Sequence, residues 1–373
     1  MKHKNLLLIL FSIMLTQNNL LAQDQFRVFR TNGNKRATVS EWVGITSVDI
    51  AYNRPRVKGR EGKIWGEVVH FGFDDLGFGT TKEAPWRGGS EENTTISFST
   101  DVKVEGKTLK AGKYGFFIAM GKEKATIIFS HYNTAWGSFY YNPKDDALRV
   151  EVPVIKMKES KERLTYEFSD QTDTTAVVSM QWEYLKIPFA IAVDLKKDQI
   201  AEYRRAMNNG GFYVFWQNMQ QAAKYCLVNN INLEEGLTWA ERSINDFFGE
   251  SNFVTLTTYA GLLDKLGRKK EADSILAVAM PKGNTAQLTS YGLSLIAQKK
   301  YNEAYAVFII NLQKDPTNIN SVYGMIKGEF GIGNKAEALK YAEKLKAMAE
   351  DSNTKAFADK FIQDIKAGKD INQ

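Results

Sequence analysis

The spacing of apolar residues changes near Asp198, and this change constrains the fold of the 373-residue chain more than any other feature. From Thr38 to about Val193, apolar residues recur at every second position, which is the period of a half-buried β-strand. Beyond Asp198 they recur at helical spacing. The sequence therefore predicts a β-domain at 37–195 followed by a helical domain at 199–373. With 43% hydrophobic residues, the chain can form a packed core, which excludes a disordered protein.

The predicted β-domain consists of short runs in which apolar and polar residues alternate. Clear examples are 96–104, 114–118 and 148–154. Residues 121–124 separate two such runs and predict a β-hairpin. At Gly44 the alternation shifts its phase, which indicates a β-bulge. Many short strands joined by turns, without a helical period, predict an antiparallel β-sandwich.

Several motifs of the β-domain resemble those of a known family. They are Tyr52-Asn-Arg54-Pro55, Trp86-Arg87-Gly-Gly-Ser-Glu-Glu92, the hairpin from Gly106 to Tyr114, and Trp136-Gly137. In order and spacing they resemble the domain of unknown function 2911 family over about residues 40–192. Two departures stand out, because Glu91 occupies the place of an Asn in the family motif and residues 70–85 form a longer, Gly-rich link. The resemblance implies a fold and an exported setting, and it implies no activity.

The predicted helical domain repeats with a period of about 32–36 residues. Tyrosines recur at this spacing at Tyr259, Tyr291 and Tyr323. The clearest copy, 285–316, has small residues at Gly292 and Ala304 and ends at Pro316. This pattern resembles the tetratricopeptide repeat, in which small residues let paired helices touch. We therefore expect an array of helical hairpins, with an unrelated helical bundle as the alternative. The weaker copies lie at about 217–250, 253–284 and 317–350.

The N-terminus has the pattern of a secretory leader. Lys2 and Lys4 precede an apolar run from Leu6 to Leu15, and Ala22 offers a small residue before a cleavage position. The run is too short to cross a bilayer core of about 30 Å as a helix. We therefore expect residues 1–22 to be a cleaved signal peptide, residues 23–36 to be a linker, and no stable membrane span to remain after cleavage. The expected location is periplasmic or secreted.

Residues that usually carry chemistry are sparse. Three histidines and one cysteine are too few for a zinc site, and the single Cys226 cannot form an intramolecular disulfide. Because phosphate-binding and dinucleotide-binding motifs are also missing, we expect neither a metal nor a cofactor. The net charge of +6 is not concentrated in a basic block, which argues against nucleic-acid binding. Cys226 lies in an apolar helical stretch and is predicted to be buried.

The remaining candidates for a ligand site are polar and aromatic residues within the family motifs. They are Arg54, Trp86, Arg87, Glu92, His131 and Trp136. Arginine presents a planar fork to carboxylates or phosphates, and tryptophan faces suit sugars or cations. The alternative is structural, with the arginines pairing to carboxylates around an irregular loop and the tryptophans forming core. No catalytic residue is assigned.

We therefore expect a non-catalytic ligand-binding or protein-interaction module of the cell envelope. Its partners would be a protein, bound through the helical repeats, and a small ligand or glycan. The repeat resemblance places small and apolar residues on the concave face, which favours an apolar peptide or an internal domain contact. These residues are Val254, Thr257, Gly261, Ala286, Thr289, Leu293 and Ile296. The alternative function is an envelope hydrolase that acts on a glycan or ester with Glu92 or His131 as acid/base.

Overall fold

The computed structural model of the protein describes residues 33–208 and 215–372. The predicted signal peptide and most of the predicted linker lie outside the described residues. The chain divides into two compact units, Met1–Gln199 and Ile200–Gln373. The predicted order of antiparallel β-structure followed by helices is confirmed.

The first unit contains two antiparallel sheets. The strands are β1 (Lys35–Val43), β2 (Thr46–Arg54), β3 (Thr94–Phe98), β4 (Val102–Val104), β5 (Lys107–Leu109), β6 (Gly112–Ala119), β7 (Lys124–Ser130), β8 (Asp146–Pro153), β9 (Ile155–Ser169) and β10 (Thr175–Val193). A six-stranded sheet has the order β1-β2-β3-β6-β7-β8, and a four-stranded sheet has the order β5-β4-β10-β9. The hairpin predicted at 121–124 joins β6 to β7 and is confirmed.

Side chains from both sheets share one buried core, which explains the period-two pattern of the sequence. Phe116 and Phe129 of the six-stranded sheet contact Phe189 of the four-stranded sheet, with ring centroids 5.6 and 6.1 Å apart. Each of the three side chains is at most 1% exposed. Burying a side chain of this size contributes about 1.5–3 kcal/mol, so alternate apolar positions hold the two sheets together.

The predicted bulge at Gly44 is wrong. Gly44 begins a hairpin turn between β1 and β2, because Val43 pairs with Thr46. A turn reverses the chain and resets the alternation just as a bulge does, so the two look alike in sequence. A register shift does occur in β10, on both sides of Glu183, which has a φ of 51°.

The second unit is built from consecutive helices that pack in pairs. The α-helices of the described residues are α1 (Leu195–Asn208), α2 (Trp216–Asn229), α3 (Leu233–Asn245), α4 (Phe253–Lys265), α5 (Lys269–Ala279), α6 (Thr285–Ala297), α7 (Tyr301–Lys314), α8 (Ile319–Gly331), α9 (Lys335–Met348) and α10 (Ser352–Lys366). The pairs α2–α3, α4–α5, α6–α7 and α8–α9 pack together and fall on the four predicted copies. The division between the two units lies within α1.

Asparagine starts the first helix of three successive pairs. Asn252, Asn284 and Asn318 each accept a hydrogen bond from a backbone N–H group in the first turn of α4, α6 or α8. An N-cap of this kind contributes about 1 kcal/mol because it satisfies a donor that has no partner within the helix. The repeated asparagines therefore mark the repeat boundaries.

Small residues allow the paired helices to approach closely. The fourth residue of α3, α5, α7 and α9 is Gly236, Ala272, Ala304 and Ala338, and each is buried. The fully buried Phe308 of α7 fits against Gly292 of α6 and against glycines of α8. The sequence period of about 32–36 residues therefore reflects the recurrence of the same close helix–helix contact in each pair.

Candidate functional site

Arg87 and Trp136 are the two predicted site residues whose side chains meet. The guanidinium carbon of Arg87 lies 5.5 Å from the ring centroid of Trp136 and 5.8 Å from that of Phe139. These distances are typical of cation–π contacts. Arg87 belongs to the segment between β2 and β3, whereas Trp136 and Phe139 belong to the segment between β7 and β8.

Backbone contacts hold these two segments together. Glu92 forms an isolated antiparallel bridge with Trp136, and the N–H of Gly137 donates to the carbonyl of Glu91 at 3.1 Å. The same carbonyl accepts a hydrogen bond of 2.8 Å from Nη1 of Arg87. Glu91 has a φ of 61°, a left-handed conformation that Asn adopts more readily than Glu. This geometry gives a physical reason for the Asn in the family motif.

Burial changes the electrostatics of Arg87. Desolvation lowers the pKa of its guanidinium, while the charge of Glu91 opposes that shift. Arginine remains cationic in proteins, so the charge sits between an exposed tryptophan and a half-buried phenylalanine. Trp136 is 57% exposed, and part of its ring is therefore available to solvent.

The carboxylate of Glu92 is held by groups of β1 and β2. Its Oε2 accepts a hydrogen bond of 2.6 Å from Nδ2 of Asn53 and lies 3.6 Å from Nη1 of Arg36. More than half of the Glu92 side chain is exposed, at 54%. Such an exposed ion pair contributes little to stability, and the amide hydrogen bond gives Glu92 its orientation.

Arg54 and Trp86 have structural surroundings. Arg54 donates from Nε to the carbonyl of Leu164 and from Nη2 to the hydroxyl of Thr165, both at 3.1 Å. Trp86 is buried, and its ring contacts those of Trp65 and Trp182 at 5.8 and 6.1 Å. These contacts tie β2 to β9 and fill the core of the first unit.

His131 lies apart from the other predicted site residues. It is exposed after β7, its backbone N–H donates to the carbonyl of Asp145 at 2.8 Å, and its ring lies 5.5 Å from that of Tyr114. Within residues 33–208, it makes no hydrogen bond, ion pair or ring contact with the other five. Glu92 and His131, either of which would be the acid/base of the hydrolase alternative, therefore do not contact each other, and that alternative stays a prediction.

The second unit contains a large groove that the sequence indicated only in part. Its volume is about 1220 Å³, and its walls come from α2, α4, α5, α6 and α7. Of the predicted concave residues, four line this groove, namely Val254, Thr257, Gly261 and Ala286. Thr289 and Ile296 are buried instead, and Leu293 packs against a hydrophobic cluster.

The groove combines apolar surface with balanced charge. Asp264 pairs with Lys300, and Asp273 pairs with Lys269, each at 2.7 Å. The full lining has four lysines and three carboxylates, so it has no strong field of one sign. On its floor, Nε2 of Gln220 donates to Thr258 at 2.9 Å, which satisfies a buried amide.

Sequence reasoning missed the residues that two second helices of pairs, α5 and α7, contribute to the groove. Ala306 and Ile310 of α7 line it, as does Leu276 of α5. Ala306 and Ile310 are four positions apart, so they share one helix face. This four-residue spacing predicts that the two side chains share a helix face. It does not predict whether that face lines a groove or packs in the core.

The predicted burial of Cys226 is confirmed. Its side chain is 0% exposed, and burial raises the pKa of the thiol to about 11. A protonated, enclosed thiol is a poor nucleophile, so Cys226 packs as a small apolar residue.

Two further features concern the described residues only. They contain no group of three or more His, Cys, Asp or Glu side chains arranged to hold a metal ion. Among them, no helix combines the length and apolar character needed to cross a membrane.

Residues 34–191 match the family described as "Protein of unknown function (DUF2911)". The resemblance seen in the motifs is thus confirmed over this part of the chain. No curated protein matches the sequence.

The helical region is similar to solved structures of low sequence identity. One is described as "Crystal structure of YrrB: a TPR protein with an unusual peptide-binding site", with 19% identity and a TM-score of 0.28, over 44% of this chain and 84% of that chain. A second is the "MamA RS-1 ArsTM double mutant", with 15% identity and a TM-score of 0.24, over 42% and 97%. A third is "MamA MSR-1 C2", with 12% identity and a TM-score of 0.24, over 41% and 95%.

Proposed function

We propose that the protein is an exported, non-catalytic interaction module whose second unit binds a segment of a partner protein in the helical groove. The observation that carries this proposal is the groove itself, whose volume is about 1220 Å³. Small-molecule pockets usually measure about 300–1,000 Å³, so a groove of this size suits a polypeptide segment better. Helical grooves bind such segments through a few apolar anchor side chains.

The lining indicates the chemistry of the partner. Val254, Ala306 and Ile310 offer apolar surface, and the acidic residues Asp264 and Asp273 already neutralise two of the four lysines. An acidic peptide would have to compete with these ion pairs for the lysines. We therefore propose a partner segment that presents apolar side chains and has little net charge.

The rest of the proposal rests on the sequence and the core. The leader pattern of residues 1–22 supports export, either to the periplasm or out of the cell. The core shared by the two sheets supports an open β-sandwich in the first unit. The helix pairs, with a small residue at an equivalent position in each, support a tetratricopeptide-like array in the second.

A displayed library of random peptides, selected on the intact chain, tests the proposed groove. We expect the selected peptides to be rich in apolar residues, and their affinity is then measured by fluorescence anisotropy. Val228→Asp should weaken binding at least about tenfold, because Val228 is 71% exposed, lines the groove, and would place a charge against an apolar ligand.

Val278→Asp is the matched control. Val278 is also an exposed valine of the second unit, at 52%, but it does not line the groove. Its substitution should leave peptide affinity unchanged. If the peptides bind both variants and the unaltered chain equally, the groove is not the binding surface and the proposal fails.

A further inference from the structure

A second cavity lies on the surface of the first unit and is unlike the helical groove. Its volume is about 650 Å³, and two segments form its walls. Thr80, Thr81, Lys82 and Glu83 come from the segment before β3, and Tyr132, Tyr140, Tyr141, Asn142, Pro143 and Asp145 come from the segment before β8. We refer to this cavity as the tyrosine cleft.

A row of aromatic rings leads from the tyrosine cleft across the surface. It consists of Tyr140, Phe78, Phe139 and Trp136. Neighbouring centroids in this aromatic row are 6.2, 5.3 and 6.2 Å apart. Tyr140, Phe78 and Trp136 are 50%, 62% and 57% exposed. Large apolar side chains exposed together on one surface mark a binding site.

The backbone positions this row firmly. The N–H groups of Thr80 and Thr81 both donate to the carbonyl of Phe139, at 3.0 and 3.1 Å. Gly79 lies so close that a Cβ at its position would be 2.2 Å from the same carbonyl oxygen. Only glycine permits this approach, which seats Phe78 on Phe139. The row therefore needs little reorganisation before it binds a ligand.

The polar groups of the tyrosine cleft suit a ligand that donates hydrogen bonds better than they suit an anion. Among the described residues, the carboxylates of Glu83 and Asp145 have no hydrogen-bond or ion-pair partner. The single lysine of the cleft, Lys82, is paired with Asp75 at 2.8 Å. A carboxylate only accepts, whereas the hydroxyls of Tyr132 and Tyr140 both donate and accept. The cleft thus requires a ligand that is rich in donors and is not an anion.

We propose that the tyrosine cleft and the aromatic row bind a neutral oligosaccharide. A sugar ring has a C–H face that packs on an aromatic ring and hydroxyl groups that donate to carboxylates. A proline-rich peptide also packs on aromatic rows, but it offers mainly carbonyl acceptors and would leave Glu83 and Asp145 without donors. A cationic ligand would compete with Arg87, which already lies against Trp136 and Phe139. The site is separate from the helical groove and does not depend on the proposed peptide binding.

A glycan array of neutral oligosaccharides, probed with the intact chain, identifies the sugar, and calorimetry then measures its affinity. Trp136→Ala and Phe78→Ala should each weaken binding about tenfold, which corresponds to the loss of one aromatic stacking contact. Trp42→Ala is the matched control, because Trp42 is also an exposed tryptophan, at 66%, and lies on β1 outside the aromatic row. It should bind the sugar as the unaltered chain does.

Further variants keep the test independent of folding. Glu83→Gln and Asp145→Asn each replace one acceptor oxygen by an amide donor without removing an aromatic contact, and each should also weaken sugar binding. Affinity should not change with ionic strength, because the ligand is neutral. The proposal is overturned if no neutral oligosaccharide binds, if Trp42→Ala weakens binding as much as Trp136→Ala, or if affinity falls with added salt. Val228→Asp should leave sugar binding intact, which separates this result from that of the helical groove.

Discussion

Replacing Gly292 by alanine sets two physical effects against each other. Alanine is a better helix former than glycine, which favours the variant by about 1 kcal/mol. However, a Cβ on Gly292 would lie 2.3 Å from Cε1 and 2.6 Å from Cζ of Phe308. Carbon atoms in contact are normally about 3.5–4.0 Å apart, so the ring would have to move by more than about 1 Å.

The ring of Phe308 has little room for this movement. Gly324 and Gly328 of α8 also lie against the ring, where an added Cβ would be 2.4 Å from Cδ1 and 2.8 Å from Cδ2. Overpacking a core costs about 1–3 kcal/mol, and this enclosed site falls at the upper end of that range. After subtraction of the helix-propensity gain, Gly292→Ala should destabilise the protein by about 2 kcal/mol.

Urea unfolding of the intact chain, followed by circular dichroism, measures this change. Ser290→Ala is the control, because Ser290 is exposed on the same helix and should gain a few tenths of a kcal/mol, about 0.5 at most. Combining Gly292→Ala with Phe308→Leu should recover part of the loss, since a smaller side chain makes room for the methyl group. If Gly292→Ala alone stabilises the protein as Ser290→Ala does, the steric argument is refuted.

Three other predictions concern the second unit. Lys299 is exposed with a φ of 61° just after α6, so Lys299→Gly should stabilise the protein by about 0.5–1 kcal/mol in the same urea assay. Cys226 should react with a thiol reagent only after denaturant unfolds the chain, since burial raises its pKa to about 11; rapid labelling of the native protein would contradict its enclosed position. Arg204 donates two hydrogen bonds to Glu235, at 2.7 and 2.6 Å, and lowers the pKa of that carboxyl. The resulting stability is present above the pKa of an unfolded glutamate, about 4.3, and is lost as the pH falls through the lowered value, so Glu235→Gln should flatten the acid side of a stability–pH profile.

The elements of the fold were predictable where local patterns decide them. Alternation of buried and exposed positions is set by the pleat of a strand, so β3 and β4 follow directly from residues 94–104. The repeat period was also predictable, because the helix pairs share small residues at an equivalent position and three of the four begin with a capping asparagine. The order of the strands was not predictable. β3 pairs with β6 rather than with β4, its neighbour in sequence, and no period in the sequence carries that long-range information.

The candidate site was predictable in its residue types and not in its geometry. Trp86 and Arg87 are adjacent, and in an extended segment adjacent side chains point to opposite sides. One had to enter the core, and the structure buries Trp86 while Arg87 turns toward Trp136. The sequence does not show which of the two side chains enters the core, because both residue types occur in binding sites and in cores. The backbone bridge between Glu92 and Trp136 brings the segment before β3 and the segment before β8 together on the side that Arg87 faces. A site formed by two loops thus depends on contacts between loops, which hydrophobic periodicity does not encode.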